Sequence, residues 1–244
     1  MNLYVDLGNS RLKWAAGEAG RAWACQGACP VAGLPGALDR AWSPLPPPRA
    51  VWLAAVGGTA AAVAAWVAAH WGLRPRRLVA GRAACGVRNS YERPEELGVD
   101  RWAALVAARA LVPGPVFVVD CGTAITVDAL DGGGAFLGGA ILPGLALTRE
   151  ALARGTAGVG AGAGGACGPF GRDTAAAVAG GTLWGLAGAV DRLLESGGPA
   201  MAGAAVLLTG GDGERLAPRL RHPVRRVPDL VLQGIARLAE VAPC

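Results

Sequence analysis

Lysine is almost missing from this chain: Lys13 is the only one, and arginine supplies the rest of the basic charge. Histidine is nearly as scarce, with His70 and His222 alone, and no two of the six cysteines have CxxC spacing. That inventory argues against a zinc site, which needs four grouped Cys or His ligands. Nothing at the start reads as a signal peptide, so the expectation is free thiols in a reducing cytoplasm. Aromatics are few and the arginines are scattered, apart from 74–77 and 219–226. A basic stripe interleaved with aromatics is therefore lacking, which excludes nucleic acid as the expected partner. The formal charge of +5 suits anionic small molecules instead.

Residues 50–69 carry no charge and are long enough to span a bilayer. Glycines 57 and 58 split the run, however, and Thr59 reads as the N-cap of an alanine-rich helix, so strand–turn–helix is expected and no membrane partner.

What the chain does contain is a repeat. Residues 4–14 read Tyr-Val-Asp-Leu-Gly-Asn-Ser-Arg-Leu-Lys-Trp and residues 118–128 read Val-Val-Asp-Cys-Gly-Thr-Ala-Ile-Thr-Val-Asp. Each is an apolar strand ending in Asp, then a glycine turn, a small polar residue and a second strand. A glycine turn lets backbone N–H groups reach phosphate oxygens. The Asp at the strand end is placed to hold a cation beside them. Asp and Gly are also ordinary turn formers, but turn chemistry alone does not require the same arrangement twice. Cys121, inside the second turn, reads as a small tolerated residue, since no neighbouring base would activate it.

Around the repeat the pattern predicts strands at 2–6, 12–16 and 21–25, a Pro-rich connector at 43–48, a strand at 50–56, a helix over 59–71 and a short strand near 77–80. A polar loop at 89–98 leads into a helix over 100–111. Pro113-Gly-Pro115 marks a boundary between residues 1–113 and 114–244. A meander at 116–120, 124–130 and 135–142 follows, then a helix from 148, a glycine-rich mobile stretch at 155–171, a helix over 173–196, a strand at 205–209 and a last helix at 229–241. Meanders followed by helices, twice over, give an α/β protein with two similar lobes.

The chain resembles the type III pantothenate kinases of the actin-like ATPase and sugar kinase superfamily. Five motifs in order carry the resemblance: Asp6-Leu-Gly-Asn-Ser, Leu97-Gly-Val-Asp-Arg101, Asp120-Cys-Gly-Thr123, Gly171-Arg-Asp-Thr174 and Thr209-Gly-Gly-Asp212. The resemblance implies two ribonuclease-H-like lobes with a nucleotide cleft between them, ATP-dependent phosphorylation of pantothenate toward coenzyme A, a homodimer, Mg²⁺ and a monovalent cation, K⁺ or NH₄⁺. It implies an ATP loop of Asp6, Leu7, Gly8, Asn9, Ser10, Arg11, Leu12 and Lys13, with Thr123 on ATP and Asp120 on the cation. Tyr91, Gly98, Val99, Asp100, Arg101 and Thr174 would line the pantothenate pocket, with Asp100 as proton acceptor, and Thr209–Asp212 falls where the superfamily binds adenosine. The chain departs from the family in Ser10, where Thr is frequent, and in the glycine content of residues 155–171.

Each of these residues has a plainer reading beside the functional one. Asp100 and the Asp173-Thr174 pair are good helix caps, and a carboxylate at a helix N-terminus faces the positive end of the helix dipole. Arg101 by itself reads as a solvated helix charge, and the motif match turns the reading to a planar fork for a substrate carboxylate. Tyr91 suits a pocket wall or an ordinary loop. Lys13, on the strand after the turn, reads as a half-exposed strand residue and not as a catalyst. Two rivals stay open: a non-catalytic regulatory protein on the same fold, and another small-molecule kinase of the superfamily.

Overall fold

A computed structural model describes residues 1–56, 58–160 and 168–242. In chain order its elements are β1 (Asn2–Leu7), β2 (Arg11–Gly17), β3 (Cys25–Pro30), α1 (Gly36–Trp42), β4 (Val51–Ala55), α2 (Ala60–Trp71), β5 (Arg76–Arg77), β6 (Ala83–Ala84), β7 (Val87–Asn89) and α3 (Val99–Leu111). There follow β8 (Val116–Cys121), β9 (Ala124–Leu130), β10 (Ala135–Pro143), α4 (Leu145–Gly155), α5 (Thr174–Glu195), β11 (Ala205–Thr209), α6 (Gly213–Leu216), β12 (Arg225–Arg226) and α7 (Leu230–Val241). They form two compact units. Unit 1 is residues 1–113, 134–136 and 229–244; unit 2 is residues 114–133 and 137–228.

The two units are built on the same path. In unit 1 the strands lie in the order β3-β2-β1-β4-β5, and in unit 2 in the order β10-β9-β8-β11-β12. Each begins with an antiparallel hairpin whose first strand also pairs in parallel with a later one, β1 with β4 and β8 with β11. Both of these central strands are also covered on their two faces, and Leu3, Tyr4, Val5 and Val116–Val119 supply the continuous buried apolar runs this demands. Both units end at an edge strand of two exposed arginines, Arg76–Arg77 and Arg225–Arg226. Charge on an exposed edge discourages pairing with a second chain.

Several local expectations are corrected. The third strand starts at Cys25 instead of Arg21, because a turn at Glu18–Arg21 with Gly20 at φ 74° uses up those residues before Cys25 pairs with Ala16. Helix α1 buries Leu38 and Trp42, yet its seven residues are too short for a period to stand out in the sequence. Thr59 does precede α2, but in a helical conformation and without a side-chain cap. The far end of α2 is closed by Gly72 at φ 65°, whose N–H reaches Ala68 O at 3.1 Å. The strand near 77–80 is Arg76–Arg77, and the helix expected from 148 begins at Leu145. Gly57 and residues 161–167 lie outside the described residues, and with them part of the split in the 50–69 run and most of the glycine-rich stretch. Among the described residues no helix is long and apolar enough to cross a membrane.

Helix α3 carries nine buried residues, and in unit 1 its closest helical neighbour is α7. The two approach so tightly at Gly234 that a Cβ there would strike the backbone of Ala103. Four described cysteines, Cys25, Cys29, Cys85 and Cys121, are free thiols; Cys167 and Cys244 lie outside the described residues.

Candidate active site

The first glycine loop is the tip of the β1–β2 hairpin in unit 1. Leu7 and Leu12 are buried and face each other across the ladder, while Asn9, Ser10 and Arg11 project into solvent between them. The Gly8 N–H donates to Arg11 O at 3.1 Å, closing the turn, and Val31 N donates to Ser10 O at 3.0 Å. Asp6 is directly opposite Lys13 in the ladder, so their side chains share one face at cross-strand spacing. This lysine is thereby a neighbour of the loop's carboxylate.

The second cluster of unit 1 is the entrance to α3. Gly98 holds the N-cap position, so Asp100 lies in the first turn and is not the cap. Its Oδ1 accepts the backbone N–H of Arg101 at 2.8 Å. A Cβ on residue 98 would stand 2.5 Å from that same oxygen, so glycine is what leaves room for the carboxylate. Arg101 is not a solvated helix charge: it is 7% exposed. Its Nη1 donates to the Tyr91 hydroxyl at 3.1 Å, and its Cζ lies over the rings of Tyr91 (5.9 Å) and Phe136 (5.8 Å). Burying a guanidinium is costly unless donors and charge are compensated, and the phenol and the two ring faces contribute to that.

The loop that brings Tyr91 to Arg101 is held by Asn89, a buried side chain with its polar groups satisfied. Asn89 Nδ2 donates to Gly81 O at 3.2 Å and Pro94 O at 3.1 Å, and its Oδ1 accepts the Tyr91 N–H at 3.1 Å. Tyr91, Gly98, Asp100 and Arg101 are thus one contiguous group. Val99 is buried at the first position of α3. Phe136 and Asn89 were not singled out from sequence; neither belongs to a glycine turn or a charged motif.

In unit 2 the second hairpin places Asp120 opposite Thr126, at the penultimate position of β8, as Asp6 is at that of β1. On its other side Asp120 is in register with Thr209 of β11. The chain then turns at Gly210, with φ 88°, where a Cβ would lie 2.5 Å from Asp120 Oδ1 and would overlap the Cys121 backbone. Asp212 N donates to Cys121 O at 3.0 Å, tying the Thr209–Asp212 segment to the hairpin end. Thr123 is exposed at the turn, and its carbonyl accepts from Gly144 N at 3.0 Å, at the start of α4. Thr126 Oγ1 is buried and makes no hydrogen bond. An acidic oxygen with an orphaned hydroxyl on the same face fits a hard monovalent cation. Among the described residues no group of three or more His, Cys, Asp or Glu is arranged to hold a metal ion. Burial, with Asp120 and Asp212 adding to it, pushes the Cys121 thiol up to about 12.

Thr174 opens α5, where Asp173 is the cap: its Oδ1 accepts the Ala176 N–H at 2.8 Å. Thr174 lines a cavity of about 700 Å³ in unit 2 together with Thr148, Leu152, Arg172, Asp173 and Gly181.

A family model described as type III pantothenate kinase matches residues 2–196. The type III pantothenate kinase of Nitrosococcus oceani is 39% identical, over 98% of this chain and 94% of its own. Among solved structures, a protein from Campylobacter jejuni described as a Baf family transcriptional activator superposes with a TM-score of 0.62 at 18% identity, covering 98% of this chain and 97% of that one. A Sinorhizobium meliloti protein described as a 2-dehydro-3-deoxygalactonokinase gives 0.56 at 16% identity, with both chains fully covered. At such identities these two speak for the fold alone, the duplicated α/β architecture of the actin-like ATPases and sugar kinases. With the family model spanning most of its length, the chain belongs to the type III pantothenate kinase family.

Proposed function

We propose that the protein transfers the γ-phosphoryl group of ATP to the primary hydroxyl of pantothenate, the first step of coenzyme A synthesis. Family membership supports the reaction. The observation that carries it is the pairing of a carboxylate and a buried guanidinium on consecutive residues, Asp100 and Arg101, beside the Tyr91 phenol. A substrate with an alcohol at one end and a carboxylate at the other needs both. Asp100 accepts the hydroxyl proton as the oxygen attacks phosphorus, and ADP leaves. Arg101 receives the substrate carboxylate on its planar fork. Tyr91, Gly98, Val99 and Thr174 line the pantothenate site.

Phosphoryl transfer depends on positioning and charge neutralisation more than on covalent chemistry. Asp6–Lys13 is the first phosphate loop and Thr123 contacts ATP. Asp120, with Thr126 beside it, holds the monovalent cation, K⁺ or NH₄⁺. Mg²⁺ arrives with the ATP phosphates, as is usual for an ion that keeps several waters. The working form is a cytoplasmic homodimer that binds neither nucleic acid nor membrane.

An ADP-release assay over a panel of alcohols tests this reading. Turnover with pantothenate alone supports it; turnover with hexoses reassigns the protein to the sugar kinases, and silence with every alcohol indicates a regulatory protein.

A further inference from the structure

The geometry points to Phe136 as the positioning residue that orients the Arg101 guanidinium and so makes the site selective for a carboxylate-bearing substrate. This rests on the pantothenate reading above and goes beyond it, since Phe136 lies outside all five motifs.

Phe136 is fully buried, and its ring centroid is 5.8 Å from Arg101 Cζ. The Tyr91 ring lies 5.5 Å from the Phe136 ring at 32°, and 5.9 Å from the same Cζ. The guanidinium therefore meets two aromatic faces, while its Nη1 is tied at one edge to the Tyr91 hydroxyl. A flat cation held against ring faces keeps its N–H edges in its own plane. That is the presentation a bidentate carboxylate contact requires.

Backbone pairing holds the arrangement. Phe136, the second residue of β10, is in parallel register with Asn89 of β7. Asn89 in turn receives the Tyr91 N–H and anchors the following loop at Pro94. One strand bridge thus sets both aromatic faces against Arg101. The ring's negative face attracts the cation electrostatically, so a side chain of similar bulk without that face fills the space but lets the guanidinium turn.

The test compares pantothenate with its neutral N-methyl amide, which keeps the reacting hydroxyl and lacks the carboxylate. Cation–π strengths correspond to about two- to thirty-fold in an equilibrium constant. Phe136→Leu is expected to raise KM for pantothenate by that factor, leave kcat within about two-fold, and leave KM for the amide unchanged. Pentafluorophenylalanine at position 136, which keeps the shape and reverses the ring's charge distribution, is expected to do the same and decides the matter if the leucine variant folds poorly. An equal rise for both substrates would mark Phe136 as core packing only and overturn the inference, as would no rise for either. A wild-type protein inert toward pantothenate but active on another alcohol sinks the proposed function itself, a different result from any produced by the variants.

Discussion

Asp100 occupies the space that a side chain on residue 98 would take: its Oδ1 is 2.5 Å from the ideal Cβ position of Gly98. The backbone there, φ −52° and ψ 131°, is open to any residue, so the glycine is required by the carboxylate and not by the turn. Gly98→Ala is expected to fold with little loss of melting temperature, because the displaced group is the movable end of a side chain. Its kcat should fall about ten-fold or more as the carboxylate swings away. A variant with wild-type turnover would separate the carboxylate's position from catalysis.

Asp100→Asn keeps an oxygen able to accept the Arg101 N–H, so the helix start should survive. The amide cannot take up the substrate proton. General bases contribute about 10²–10⁴-fold, and a kcat loss of about 100-fold or more is expected with pantothenate KM little changed. Steady-state ADP release checks it.

Gly210 has a left-handed φ of 88° and faces the Cys121 backbone and Asp120 Oδ1. For Gly210→Ala the backbone conformation costs about 1 kcal/mol and the overlap adds to it, so a stability loss of about 2 kcal/mol or more is expected. Denaturant unfolding measures the loss, and ATP affinity should fall in parallel.

Replacing K⁺ and NH₄⁺ by a bulky organic cation should weaken ATP binding if Asp120 holds the ion. Thr126→Val removes the orphaned hydroxyl on the same face and should reduce the response to added K⁺ without unfolding the hairpin. Calorimetric titration of ATP in the two salts reads both effects; equal affinities in the two salts count against the ion site.

Cys121 is buried and its thiol is pushed up to about 12. Between the unfolded value near 8.5 and that figure the folded chain keeps a proton that the unfolded chain has lost. Stability contributed by this group is therefore fully present below about pH 8.5 and declines as pH rises toward 12, by up to about 1.4 kcal/mol per pH unit. Cys121→Ala should flatten that part of the profile. In the native protein at pH 8 the thiol should resist alkylation that proceeds once the chain is unfolded.

Much of the fold was legible because its signals are local. Strands at 2–6 and 116–120 announce themselves by apolar runs ending in Asp and a glycine turn, and both lie in the structure as the first strand of a hairpin. Helices over 59–71 and 173–196 follow from composition and breakers. The third strand slipped because Gly20 lengthens a turn that alternation alone does not reveal. For Arg101 the residue type alone favoured a solvated charge and only the motif favoured a substrate fork; burial beside Tyr91 and Phe136 removed the first.

The order of residues by itself determined the twin hairpins and the placement of an aspartate at the end of each first strand, since these depend on neighbours within a dozen positions, and it determined the family through five short motifs in sequence. Tertiary structure alone decided that α7 lies on α3 through Gly234, that Phe136 meets Arg101, and that Gly210 abuts Asp120. Each of those joins segments from 35 to about 130 residues apart. Only closing the sheets and burying their apolar faces brings such segments together, and no periodicity in a single segment encodes the partner it will meet.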